Sequence, residues 1–175
     1  TLVDELVPGV LNVGDVHKVL QNLLRERVSI RDLLLILETL ANVSSRSKNT
    51  EILTEYVRNA LSAQICEMYK NEDSIIPVST LDPNLEAKME GVVQETESGF
   101  RFNLSPGEVG RILDKIGEMV EKIKSSGEVP LVICSPTIRS AFKRLCESNY
   151  RDLVVLSYNE IVPGIEIRSL GMISI

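Results

Sequence analysis

The stretch LVICSPTIRSAFKRLCESNYRDLVVLSY, Leu131–Tyr158, decides the fold. It opens on a short apolar run, turns at Ser135-Pro136, continues at helical spacing to about Glu147 and ends in a second apolar run. A strand, a helix and a strand of these lengths make a βαβ crossover, for which parallel pairing is the default. Ser135 followed by Pro136 reads as a helix cap with proline in the first turn.

Working outward, the same grammar repeats. IIPVSTL reads as a strand, and Asp82-Pro83 starts a short helix by the same device. GFRFNL reads as a paired, half-exposed strand. Ser105-Pro106 with Glu108 forms a capping box that opens a helix along Val109, Ile112, Leu113, Ile116, Met119 and Ile123. SSGEVP closes that helix, and IEIRSLGMISI finishes the sheet. The N-terminal part is helical instead. Val16, Val19, Leu20, Leu23 and Leu24 share one helix face. Ser29 is expected to cap a second helix, whose apolar stripe of Ile30, Leu33, Leu34, Leu37, Leu40 and Ala41 is widened by Leu35 and Ile36. The polar SSRSKN then precedes a third helix expected from about Thr50 to Lys70. The class is therefore α+β, an N-terminal helical subdomain over 1–73 followed by an α/β subdomain with a small mixed sheet over 74–175.

The chain has 175 residues and a net charge of −6, with basic and acidic residues interspersed. Without a phosphate-neutralising surface, nucleic acid is not an expected partner. No apolar run approaches the ~20 residues that cross a bilayer. The chain starts at Thr1 without methionine and is already apolar, so a fragment of a longer protein is expected. Cys66, Cys134 and Cys146 lie singly in apolar segments and read as small buried hydrophobes of a reducing compartment.

A cysteine ending a strand before a helix and an arginine is how cysteine-dependent phosphatases hold a phosphoester, which nominates Cys134, Ser135 and Arg139. Against it, only four residues separate Cys134 from Arg139, none is glycine, and Pro136 removes an N–H donor. A phosphoester- or nucleotide-acting enzyme built on Cys134 and Arg139 is the alternative reading. His17, the only histidine, reads as a surface residue, so neither a histidine-based catalytic set nor a zinc site is expected. The pairs Glu118 with Glu121 and Glu95 with Glu97 read as solvated charge. The first two helices loosely imitate a helix-turn-helix, yet IRDLLLILETL is too apolar to read bases. Gly107 and Gly110 lack nucleotide-loop chemistry. No catalytic residue, cofactor or metal is assigned.

Longer words carry a resemblance. LVDELVPGVLNVGDVHKVLQNLLRERVSIRDLLLILETLA, LTEYVRNAL, TLDPNLE, VLSYNEI and IEIRSLGMI resemble the C-terminal cytoplasmic region of the FlhA family, the flagellar type III secretion export gate. RERVS is shared with injectisome relatives, whereas TLDPNLE and VLSYNEI resemble the flagellar branch. The resemblance implies a non-catalytic fragment comprising the third and fourth of four cytoplasmic subdomains. Its full-length protein would sit at the cytoplasmic side of the bacterial inner membrane, reaching the membrane only through a missing N-terminal region, with the fragment alone soluble. It further implies self-assembly into a nine-membered ring and docking of export substrates, chaperones and ATPase-complex components. NVSSRSKN is more polar than the family's usual connection. Ring contacts are expected at Arg25, Glu26, Arg27, Arg31 and Asp32, and a second partner-facing surface at the basic helical face of Arg139, Lys143 and Arg144.

Overall fold

The computed structural model describes residues 1–7 and 9–175. They form two compact units, one of Thr1–Ile65 with Glu97–Gly99, the other of Cys66–Thr96 with Phe100–Ile175.

The first unit is helical, with α1 (Leu2–Leu6), α2 (Val13–Arg25), α3 (Leu33–Val43) and α4 (Thr50–Ala60). Val19 and Leu23 of α2, Ile36 and Leu40 of α3, and Leu53 and Val57 of α4 are fully buried, as the helical spacing requires. Each such side chain contributes about 1.5–3 kcal/mol relative to exposure. Helix α2 is capped by Asn12, whose side chain accepts the Asp15 N–H. It ends in a Schellman motif, with Val28 N–H on Leu23 O and Arg27 N–H on Leu24 O. The left-handed position of that motif, usually glycine, is occupied by Arg27 at φ 62°.

Asp32, not Ser29, caps α3, its carboxylate accepting the Leu35 N–H at 3.2 Å. Ser29 Oγ is instead engaged by the Arg31 N–H, which holds residues 29–31 in a turn outside the helix. The expected helix from Thr50 to Lys70 is broken at Leu61, and α5 (Ser62–Tyr69) continues after it. Ser62 Oγ donates to Asn59 O at 2.6 Å across this break.

The second unit holds β1 (Ile75–Leu81), α6 (Pro83–Val92), β2 (Val93–Thr96), β3 (Gly99–Phe102), α7 (Pro106–Ser125), β4 (Leu131–Cys134), α8 (Arg139–Glu147), β5 (Val154–Ser157) and β6 (Glu166–Ile173). The four-stranded sheet has the order β5-β4-β1-β6 and is parallel throughout; β2 and β3 form a separate antiparallel hairpin. Strands of both senses are thus present, but in two sheets. Strands β4 and β5 pair from Leu131 with Val154 to Cys134 with Ser157, which is the expected βαβ crossover. The Ser105 capping box is formed, Ser105 Oγ accepting the Glu108 N–H and Glu108 accepting the Ser105 N–H. Leu85 and Met89 of α6, Ile112 and Ile116 of α7, and Phe142 and Cys146 of α8 pack with Val132, Cys134 and Val155 of the sheet into one core.

Candidate interaction surfaces

The end of α2 and the start of α3 bring the first nominated group together. Arg25, Arg27, Arg31 and Asp32 are exposed, and Asp32 also serves as the α3 cap. Glu26 has a structural partner. Its carboxylate stands 3.7 Å from the buried Arg58 guanidinium, which is also 3.8 Å from Glu55. A guanidinium without water around it requires such acceptors. Beside these charges, Leu24, Leu33 and Leu34 are 52%, 44% and 62% exposed. Helical periodicity assigned all three to a buried stripe, so the breadth of that stripe exceeds what this unit covers. Apolar residues adjoining exposed arginines are the composition of an interface.

The second nominated group does not form the expected exposed basic face. Arg139 is 2% exposed, and its guanidinium donates to Val155 O at 3.0 Å. Lys143 is 7% exposed, and its ammonium donates to Leu153 O at 2.6 Å and Arg151 O at 3.1 Å. Both cations run from α8 onto the backbone around β5. Of the three, Arg144 alone is neither buried nor fully exposed. Long cationic side chains carry their charge several bonds from the backbone, so helical position alone misassigned their tips.

The same region answers the phosphoester question. Cys134 is fully buried within β4. The Ser135 N–H, which would have to meet an anion, donates to the Glu86 carboxylate at 3.0 Å. A carboxylate at that position repels a phosphate. Ser135 is not the helix cap either, since its hydroxyl accepts the Thr137 N–H and α8 starts at Arg139 without a side-chain cap. Cys134, Ser135 and Arg139 therefore do not assemble into an anion cradle. Burial raises the Glu86 pKa, the Ser135 hydrogen bond partly opposes it, and the Glu90 charge adds to the rise. Burial likewise raises Tyr158, with smaller contributions from Glu86 and Cys134. Burial pushes the Cys146 thiol up to about 12 despite the nearby Lys143 charge. All three cysteines are buried and unbridged, and Cys66 Sγ donates to Glu160 O at 3.2 Å. His17 is exposed. Among the described residues no group of three or more His, Cys, Asp or Glu side chains is placed to hold a metal, and no helix is long and apolar enough to cross a membrane.

The molecule is thus an α+β protein of one helical unit and one parallel-sheet unit whose nominated residues lie on a surface or are consumed by the fold. Comparison with known proteins gives its relationship. Residues 1–166 match the FHIPEP family. The chain is 38% identical over 174 residues to the flagellar biosynthesis protein FlhA of Bacillus subtilis, covering 99% of this chain and 26% of that protein. It is 33% identical over 156 residues to the low calcium response locus protein D of Yersinia pestis, covering 89% of this chain and 22% of that protein. Among solved structures, Chlamydia pneumoniae CdsV superposes with a TM-score of 0.89 at 32% identity, over 99% of this chain and 50% of that one. CdsV in complex with CdsO gives 0.87 at 32%, over 99% and 51%. A nonameric EPEC SctV-C gives 0.85 at 32%, over 98% and 51%. The chain belongs to the FHIPEP family. It spans about a quarter of the length of the curated relatives it matches.

Proposed function

We propose that this chain is the part of a flagellar type III export-gate protein that works through protein–protein contact, as a non-catalytic scaffold. The observation that carries the reading is identity of 38% to a flagellar FlhA across 99% of the chain. Residues 1–73 correspond in this reading to the third, and 74–175 to the fourth, of four cytoplasmic subdomains. The full-length protein stands at the cytoplasmic face of the inner membrane and reaches it through a region outside this chain.

Self-assembly into a ring is supported by the nonameric SctV-C relative. Within this chain the surface best suited to it is the junction of α2 and α3, where Leu24, Leu33 and Leu34 adjoin Arg25, Arg27 and Arg31. Association there removes apolar area from water and brings the exposed Arg31 guanidinium to a carboxylate of the neighbour. Contact with ATPase-complex components is supported by the CdsV complex with CdsO. Docking of export substrates and their chaperones belongs to the same reading. Arg144 remains a candidate partner contact, whereas Arg139 and Lys143 support the surface from beneath.

The test is native mass spectrometry of the full-length protein in detergent, wild type against Leu34→Asp with Arg31→Glu. The expected result is loss of the ring mass with retention of folded protomer. A double variant that assembles like wild type would overturn this assignment of the ring surface.

A further inference from the structure

Strand β6 is the edge of the four-stranded sheet, hydrogen-bonded to β1 on one side only. It is eight residues long, and most of its side chains are exposed, including the apolar Ile167 and Met172. A long open edge with apolar side chains is the geometry that accepts another strand, unless a protein blunts it with charge or a bulge. Here the charges sit early in the strand, at Glu166 and at Arg168, which stands 3.9 Å from Glu128. The pairing register shifts where Val78 faces Ser169 and Ser79 faces Gly171, leaving Leu170 as the extra residue.

Beside that bulge lies a groove of about 270 Å³ between α7 and the end of β6. Met119, Ile123 and Met172 give it apolar walls, and Lys115 and Lys122 stand on its α7 side. Lys115 shares Glu118 at 3.3 Å, while Lys122 has no ion pair among the described residues. Ser79 also lines this groove. Its hydroxyl is buried and has no hydrogen-bond partner in the protein, the buried side-chain atom so left among the described residues. Gly171 has nothing within 4 Å of the position a Cβ would take, so the strand is open at that point.

We propose that β6 and the adjoining groove form a binding site for an extended acidic–aliphatic peptide segment, which adds a strand to β6 and pairs a carboxylate with Lys122. Backbone bonds to the edge supply register, the apolar walls take an aliphatic side chain, and the unpaired ammonium selects an acid. The site lies on residues the ring surface does not use, and the inference stands apart from the export-gate reading.

The test is fluorescence anisotropy of the whole chain with a fluorescein-labelled Thr-Val-Thr-Glu-Thr-Val-Thr peptide, joined to ¹⁵N amide shift mapping. Expected are saturable binding, shifts along Glu166–Ile173 and the α7 turn around Lys122, and at least about tenfold weaker binding after Lys122→Glu, the order expected when an ion pair of ~1.4 kcal/mol is lost. A lysine-for-glutamate peptide should not bind. Lys122 is exposed, so its variant keeps the fold. Absence of saturable binding, shifts confined to other elements, or affinity indifferent to Lys122→Glu would overturn the proposal.

Discussion

Arg139→Ala separates a structural arginine from a partner-binding one. The Arg139 guanidinium is buried and donates to Val155 O, a carbonyl of β5. Truncation leaves that buried acceptor without its charged donor, at about 1–3 kcal/mol. It also empties most of the volume of one of the largest fully buried side chains, for which large-to-small core changes give about 2–5 kcal/mol. The two effects overlap, and the hydrated guanidinium of the unfolded chain offsets part of them, so a loss of about 3–5 kcal/mol is expected. Set against a typical total of 5–15 kcal/mol, that is enough to unfold a large fraction of the protein. Arg139→Met keeps most of the volume and should cost about 1–3 kcal/mol, isolating the polar share. Hydrogen exchange in increasing urea, read on peptides covering β4 and β5, measures the effect on this unit. Arg144→Ala, at a half-exposed site, should cost no more than about 1 kcal/mol in the same assay. If Arg139→Ala lost less than 1 kcal/mol while Arg144→Ala lost more, the assignment of Arg139 to the interior would be refuted.

Ser105→Ala removes the capping box of α7 and should cost about 1 kcal/mol by urea unfolding. The Lys88 hydrogen bond first, and Ser105 next, hold Glu108 down to about 2 from 4.5. Its contribution to stability is therefore present above pH ~4.5 and lost as pH falls towards 2. NMR titration of the Glu108 carboxyl should show its pKa rise in Lys88→Ala, and an unchanged pKa would contradict the geometry. Glu86 is shifted the other way, so ionisation is disfavoured by the fold, and the stability tied to its protonated form is lost as pH rises from 4.5 through its raised pKa. Glu86→Gln, which keeps an acceptor for the Ser135 N–H and stays neutral, should melt at or above the wild-type temperature at pH 7 and close to it at pH 3. Arg27→Gly relieves a left-handed non-glycine residue worth roughly 1 kcal/mol, yet removes an exposed cation of the proposed ring surface. Its stability by urea unfolding should stay within about 1 kcal/mol of wild type, while ring formation weakens in native mass spectrometry.

Local signals were legible in the sequence where the structure keeps them local. The Ser105–Glu108 box and the Asp82-Pro83 start are satisfied within one turn, and both helices begin where the sequence places them. The βαβ crossover was legible because β4 is buried at every position. The Ser135-Pro136 signal failed because Glu86, in a helix far earlier in the chain, holds the Ser135 N–H and a turn intervenes before α8. The Ser29 signal failed because Asp32 offers a stronger capping acceptor three residues later. Strand β2 carries only a half-buried, largely polar pattern and acquires its definition from pairing with β3. Arg139 and Lys143 were misplaced because a cation seeking carbonyl oxygens leaves no periodic trace. The unpartnered Ser79 hydroxyl leaves no trace in IIPVSTL.

The central claim is that this chain serves protein export through its surfaces. It is tested most directly by the amount of flagellar subunit released into the medium by cells whose full-length gene carries Arg27→Glu with Arg31→Glu, the membrane level of the protein being checked in parallel. The account predicts that export falls at least about tenfold while the protein still accumulates, an effect of ~1.4 kcal/mol or more at the interface. Export undiminished at equal protein level would contradict it.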